Sequence, residues 1–174
     1  MFPNRAEAKK LLADAELHNP GAWVRHSEVV AFCAGRIAGE CPDMDAEKAF
    51  VLGLLHDIGR KFGVKHFGHI YDGYRYMTEL GYDEVARICA SHSFSIQRIE
   101  DYLGQLVYDD YDRLIQLCDA IGSAEGVVSM EERMGDVKRR YGAYPQDKWD
   151  KNLQLKDYFS EKIGRDVYSV LQDS

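Results

Sequence analysis

Hydrophobic residues recur along most of this chain at intervals of three and four positions, and strict alternation of polar and apolar residues is rare. A period near 3.6 residues is typical of a helix with one buried face, whereas a strand alternates with a period of two. We therefore predict an all-α fold. Its helices are expected at about residues 4–17, 22–39, 45–59, 67–80, 83–99, 108–124, 128–140 and 147–163.

Short breaks separate the first helices. Residues 19–21 read Asn-Pro-Gly and residues 41–43 read Cys-Pro-Asp, and both combinations disfavour helix. Asp43 or Asp45 is expected to cap the third helix, because an aspartate side chain accepts hydrogen bonds from the first free backbone N–H groups. Gly81 is expected to end the fourth helix in a left-handed conformation.

Histidine and aspartate side chains interrupt the apolar faces of five predicted helices. One of them, the third, is apolar almost all round until it reaches a His-Asp pair near its end. When the apolar face of the fourth helix is continued toward the N-terminus, it reaches His69 and then His66, three residues earlier. The residues are His26, His56 with Asp57, His69 or His66, His92 and Asp119.

These inward polar residues predict a metal site. A buried carboxylate without a partner is costly, and the sequence shows no matching set of inward Lys or Arg residues to neutralise Asp57 and Asp119. Each residue alone has an ordinary explanation, as a hydrogen-bonded core histidine, a helix cap or an ion-pair partner. Their combination favours a divalent cation, and histidine with carboxylate suits Fe, Mn, Ni, Co or Zn better than Ca.

Composition limits the remaining possibilities. A chain of 174 residues can bury the core of one domain, and we expect residues 1–174 to form a single domain. The net charge of −7, with no long basic run, argues against binding to nucleic acid or to an anionic membrane surface. The start of the chain lacks the apolar core of a signal peptide, and the four cysteines form no CxxC pair. We expect a cytoplasmic protein with reduced cysteines, for which a homodimer is one option.

The order of these residues resembles the HD-domain superfamily of metal-dependent phosphohydrolases. The stretch LLHDIGR (residues 54–60) is similar to the central signature of that family. RHSEVVAFCAGRIA (25–38) resembles the helix that carries its first histidine, and LIQLCDAI (114–121) the helix that carries its last aspartate. The resemblance covers residues 20–125, which would be the HD core, and residues 126–174 would form a C-terminal helical extension.

The resemblance implies a ligand set. His26, His56, Asp57 and Asp119 would hold a first ion. Members with two further histidines bind a second ion, which the aspartate of the HD pair bridges to the first. His92 and either His69 or His66 would supply these here, and we favour His69 because a regular helix continues from it. The implied cofactor is one or two divalent ions, Fe or Mn first, with Ni, Co, Zn or Mg as alternatives.

The resemblance also implies an activity. The expected reaction is hydrolysis of a phosphoester or phosphoanhydride bond in a small phosphorylated metabolite, with nucleotides as the favoured class, by a metal-activated water. Asp57 would orient that water, Arg60 and Lys61 would contact phosphate, and His66 would contact substrate. The ordinary explanation of Arg60 and Lys61 is that cations at a helix C-terminus complement its dipole.

Two other functions are compatible with the same residues. A few proteins of similar architecture hold a di-iron site and activate oxygen, which predicts oxidation of a phosphonate or a polyol. A binding module without catalysis is the third option. The residues past 126 are expected to form helices that cover the core, with Arg133 or the Lys138–Arg140 cluster reaching the pocket as the alternative.

Overall fold

The computed structural model describes residues 1–63, 68–93, 109–143 and 145–172. Within these ranges the fold is all-α, as predicted, apart from one hairpin of two two-residue strands. In chain order the elements are α1 (Arg5–His18), α2 (Trp23–Gly39), α3 (Ala46–Leu55), a 3-10 helix (Ile58–Phe62), α4 (Gly68–Glu79), α5 (Asp83–Ser91), α6 (Asp110–Ile121), β1 (Gly122–Ser123), β2 (Gly126–Val127), α7 (Met130–Tyr141), α8 (Gln146–Ile163) and α9 (Val167–Gln172).

The buried helix α3 lies at the centre of the fold, in contact with α1, α2, α5 and α6. Asp45 caps its start, and the aspartate side chain accepts hydrogen bonds from the N–H groups of Glu47 and Lys48. Its closest neighbour is α2, because a side chain on Gly53 would lie only 3.0 Å from the α-carbon of Ala31. The two helices that carry His26 and the HD pair are therefore packed nearly backbone to backbone.

Three predicted helix ends are wrong. Helix α5 ends at Ser91 instead of residue 99. Helix α3 ends at Leu55 instead of residue 59, since Asp57 leaves the helical conformation (φ −106°, ψ 15°) and a 3-10 helix follows. Helix α6 ends at Ile121 instead of residue 124, and the chain turns into the β1–β2 hairpin. The short helix α9 was not predicted. The left-handed conformation expected at Gly81 is confirmed (φ +82°).

The C-terminal helices pack onto the rest of the chain. Helices α7 and α8 both contact α6, and α9 contacts α2. Phe159 is fully buried in the main hydrophobic core, and the guanidinium group of Arg36 donates a hydrogen bond to the carbonyl of Val170. All four cysteines are free thiols with buried side chains, as expected. Among the described helices, none combines the length and the apolar character that crossing a bilayer requires.

Candidate metal centre

Six predicted ligands from five helices meet at one place. Each lies in the first turn of a helix, in its last turn, or just past its end, so that the side chains converge where the helix ends meet. The residues are His26 on α2, His56 and Asp57 after α3, His69 on α4, His92 after α5 and Asp119 on α6. His66 lies outside the described residues.

The Asp57 carboxylate divides this cluster into two halves. Its Oδ2 atom lies 3.8 Å from Nε2 of His26 and 3.5 Å from Nε2 of His56. Its Oδ1 atom lies 3.3 Å from Nε2 of both His69 and His92. In each half, the potential ligand atoms all lie within 4.8 Å of one another. One carboxylate is thus shared by two histidine pairs.

Asp119, on α6, adds a second carboxylate to the half of the cluster that contains His26 and His56. Its Oδ1 atom lies 2.8 Å from Nε2 of His26 and 3.4 Å from Nε2 of His56. The Asp119 side chain is 26% exposed, whereas that of Asp57 is 4% exposed. The cluster is therefore deepest at Asp57 and nearest to solvent at Asp119.

Backbone carbonyl groups orient three of the imidazole rings. Nδ1 of His26 lies 3.0 Å from the carbonyl oxygen of Gly122, and Nδ1 of His56 lies 2.7 Å from that of Gly53. His92 makes the same contact with Ile88, at 3.3 Å. A carbonyl oxygen only accepts, so Nδ1 must carry a hydrogen, and Nε2 is the ring atom that faces the cluster and can bind a metal once it is unprotonated. This is how metal-binding histidines are usually held.

The two carboxyl groups are ionised in this environment. Burial alone would raise the pKa of Asp57, but the positive charges of His56, His92 and Arg60 hold it well below 3.8. Burial likewise acts to raise the pKa of Asp119, but the hydrogen bond from His26 and the positive charges of His26 and His56 hold it well below 3.8. Both groups are therefore carboxylates at neutral pH and can act as ligands.

The histidines respond to burial differently. Burial alone would lower the pKa of His26 and His92, but the adjacent carboxylates of Asp119 and Asp57, respectively, raise both pKa values above 6.5. For His69, burial outweighs the nearby carboxylate and lowers the pKa to about 4. At neutral pH the cluster without metal thus holds protons that a cation would displace.

The residues present fit a divalent cation. Among the described residues, the buried atoms Nε2 of His56 and Oδ1 of Asp57 have no hydrogen-bond partner, although both point into the cluster. Unsatisfied buried polar atoms are rare in native proteins, and a bound ion is one recognised reason for them. The cluster can therefore bind divalent metal, and imidazole with carboxylate is a donor set for several transition metals.

Arg60 places one positive charge beside Asp57, although the sequence offers no matching set of inward Lys or Arg residues for both aspartates. Its Nε atom lies 3.2 Å from Oδ2 of Asp57, on the 3-10 helix that directly follows the HD pair. Lys61 points elsewhere. Its ammonium group forms an ion pair of 2.8 Å with Asp14 on α1 and lies 3.3 Å from the hydroxyl of Tyr76 on α4.

A network of buried hydrogen bonds next to His92 was not predicted from the sequence. The hydroxyl of Ser91 donates to the buried carboxylate of Asp112 at 2.5 Å, and the side-chain amide of Gln116 donates to the carbonyl of Ser91 at 2.7 Å. Asp112 also closes a capping box with Asp109 at the start of α6. The network ties the end of α5 to α6. The Asp-x-x-Asp spacing is a signal for the cap, but not for the contact with Ser91.

The profile of the family described as "HD domain" matches residues 23–123, which is more than half of the chain. The chain belongs to the HD domain family. No curated protein and no solved structure matches it significantly. All six residues of the cluster lie inside the matched segment of the HD domain. Membership places the chain in a superfamily of metal-dependent hydrolases, and the cluster is where a metal of that superfamily would bind.

Proposed function

We propose that this HD domain is a phosphohydrolase that cleaves a phosphoester or phosphoanhydride bond of a small phosphorylated metabolite. The observation that carries the proposal is the Asp57 carboxylate, shared between two histidine pairs and accompanied by the guanidinium group of Arg60 at 3.2 Å. The shared carboxylate supports a site for two divalent ions, with Fe and Mn as the first candidates. The adjacent cation supports an anionic substrate.

Divalent ions at this site would supply Lewis-acid polarisation of a phosphoryl group and activation of water. The chain's own residues would do the remaining work. Asp57 would orient the attacking water, because its carboxylate lies at the junction of the two halves. Arg60 would donate hydrogen bonds to phosphoryl oxygens as charge develops on them, and a guanidinium group suits this because its N–H groups match those oxygens in pairs.

Substrate would approach from the side of α2 and α6. The side chains of His26 and Asp119 are 16% and 26% exposed, whereas those of His56 and His92 are 0% and 3% exposed. The resemblance to dinuclear members that act on nucleotides supports a nucleotide as the substrate class. Lys61 and His66 stay proposals as substrate contacts, although Lys61 already has an ion-pair partner in Asp14.

A panel of nucleotides and phosphate esters, assayed for phosphate release with Mn or Fe present, tests the proposal. We expect release with at least one nucleotide and its loss in the Asp57→Ala variant. Activity that is unchanged in this variant would contradict the proposal. Oxygen uptake by the iron-loaded, partly reduced protein with a phosphonate or polyol, without phosphate release, would support the oxygenase instead.

A further inference from the structure

An apolar groove lies on the surface where α1, α2 and α3 meet, and its volume is about 410 Å³. Four larger apolar side chains line it, those of Leu12, Val24, Phe50 and Leu54. Beside this groove, Leu17 on α1 is 85% exposed, the highest value among the large hydrophobic residues that the structure describes. Leu17 follows Ala13, which also lines the groove, by four residues, so the exposed leucine and the groove share one side of α1.

Opposite charges mark the two ends of α1 along the groove. Lys9 and Glu16 both line it, both are exposed, and Ala13 lies between them. Within the described ranges, no ion pair involves Lys9 or Glu16, whereas Glu28 on the opposite wall pairs with Arg25 at 3.0 Å. This side of α1 therefore presents a positive charge, a small residue and a negative charge in turn.

Such a surface is complementary to a second copy of itself. In a two-fold contact the same patch meets its own copy, so two α1 helices run antiparallel. With the axis near Ala13, Lys9 of each copy lies opposite Glu16 of the other, and the small alanine lets the helices approach closely. The same symmetry brings each Leu17 to the groove of the other copy, where apolar side chains would cover it.

A second copy fits this pattern better than a different protein does. A partner with charge of one sign would match one end of α1 and repel the other, and a parallel copy would bring like charges together. Only the antiparallel copy satisfies both charges and also supplies an apolar side chain for the groove.

We propose that this chain forms a symmetric homodimer through two antiparallel α1 helices, with Leu17 of each copy in the groove of the other. Helix α1 precedes residues 23–123, which match the family, so the contact would centre on a helix outside the HD domain. A helix of 14 residues is about 21 Å long, which makes a small interface, and we expect a Kd on the order of 10 μM. The inference does not depend on the proposed function.

Sedimentation velocity of the full chain, over protein concentrations from about 2 to about 200 μM, tests the inference. We expect the wild type to change from monomer to dimer over this range, and Leu17→Ser to raise the Kd about tenfold or more. Leu80→Ser is the matched control, since it also replaces an exposed leucine, just after α4, and should leave the Kd unchanged. A wild type that stays monomeric would overturn the inference and leave the groove to a different protein.

Exchange of the two charges tests the antiparallel arrangement itself. Lys9→Glu and Glu16→Lys should each raise the Kd about fivefold, because each places like charges opposite one another at two equivalent positions. A mixture of the two single variants should form dimers again, and so should the variant that carries both changes, because opposite charges then meet at both positions. Single variants that dimerise like the wild type, or a mixture that restores nothing, would overturn the arrangement.

Discussion

The α-carbon of Gly59 lies directly against the backbone carbonyl of His69. A side chain built on Gly59 would overlap that oxygen and also the backbone nitrogen of Gly73, one turn further along α4. The absence of a side chain thus lets the 3-10 helix and α4 touch through their backbones. This contact sets the position of α4, and with it the 3.3 Å separation of His69 from Asp57.

Replacement of Gly59 by alanine should therefore damage the metal centre as well as the fold. Because the atoms in the way are backbone atoms, α4 must move, and we expect a loss of about 3 kcal/mol in the free energy of unfolding. Urea denaturation measures this loss. Gly135→Ala is the matched control, since a side chain on that helical glycine would meet Nη1 of Arg139 at 3.5 Å, an ordinary contact with a flexible side chain, and alanine there should be neutral or slightly stabilising. Equal effects of the two substitutions would contradict this account.

The stabilisation that metal gives should grow with pH. The raised pKa values of His26 and His92 stabilise the metal-free fold below pH 6.5, and this contribution is lost as the pH rises through them. A metal needs both Nε2 atoms unprotonated, so it competes with protons at low pH. The increase in Tm on adding Mn should therefore be larger at about pH 8 than at about pH 6.

His18→Gln is the control for this pH profile, because His18 is an exposed histidine that contacts Asp14 on α1. Its profile should match that of the wild type. A metal-dependent increase in Tm that is the same at both pH values would show that no proton is displaced from the cluster.

Arg60 should matter for catalysis more than its neighbour Lys61. The Arg60→Gln variant removes the guanidinium group beside Asp57, and we expect kcat/KM to fall about 100-fold with the metal content retained. Lys61→Gln should have a smaller effect, since the Asp14 carboxylate already neutralises that ammonium group. Steady-state kinetics on the best substrate of the nucleotide panel compares the two. A larger loss with Lys61→Gln would reverse the assignment.

The hydrogen-bond network of Ser91, Asp112 and Gln116 next to His92 should stabilise the fold. In Asp112→Ala, the buried Ser91 hydroxyl and the Arg87 guanidinium group, which lies 3.3 Å from the carboxylate, both lose a partner. We expect a loss of about 2–3 kcal/mol in the free energy of unfolding. Asp136→Ala breaks only the exposed ion pairs with Arg139 and Arg140, and should cost less than about 0.5 kcal/mol. Chemical denaturation of both variants tests the contrast.

The helical fold and the inward position of the clustered histidines and aspartates could be predicted because both follow from local spacing. An inward histidine or aspartate is visible as a polar residue on an apolar stripe, and the geometry of one helix places it. The choice of His69 over His66 came from helical continuity in the same way, and the structure places Nε2 of His69 3.3 Å from Asp57.

Contacts between distant segments could not be predicted. The end of α6 at Ile121 leaves the carbonyl of Gly122 to bind Nδ1 of His26, and nothing in the local pattern indicates that pairing. The ion pair of Lys61 with Asp14, which joins the 3-10 helix to α1, is a second contact of this kind.

The number of divalent ions per chain, measured by elemental analysis after metal loading and removal of free metal, tests the central claim most directly. Two ions are expected in the wild type, because Asp57 is shared by two groups of ligands. One is expected in His26→Ala and one in His69→Ala, which remove one group each, and neither ion should be retained in Asp57→Ala. A wild type without metal, or the same ratio in all four proteins, would contradict the account.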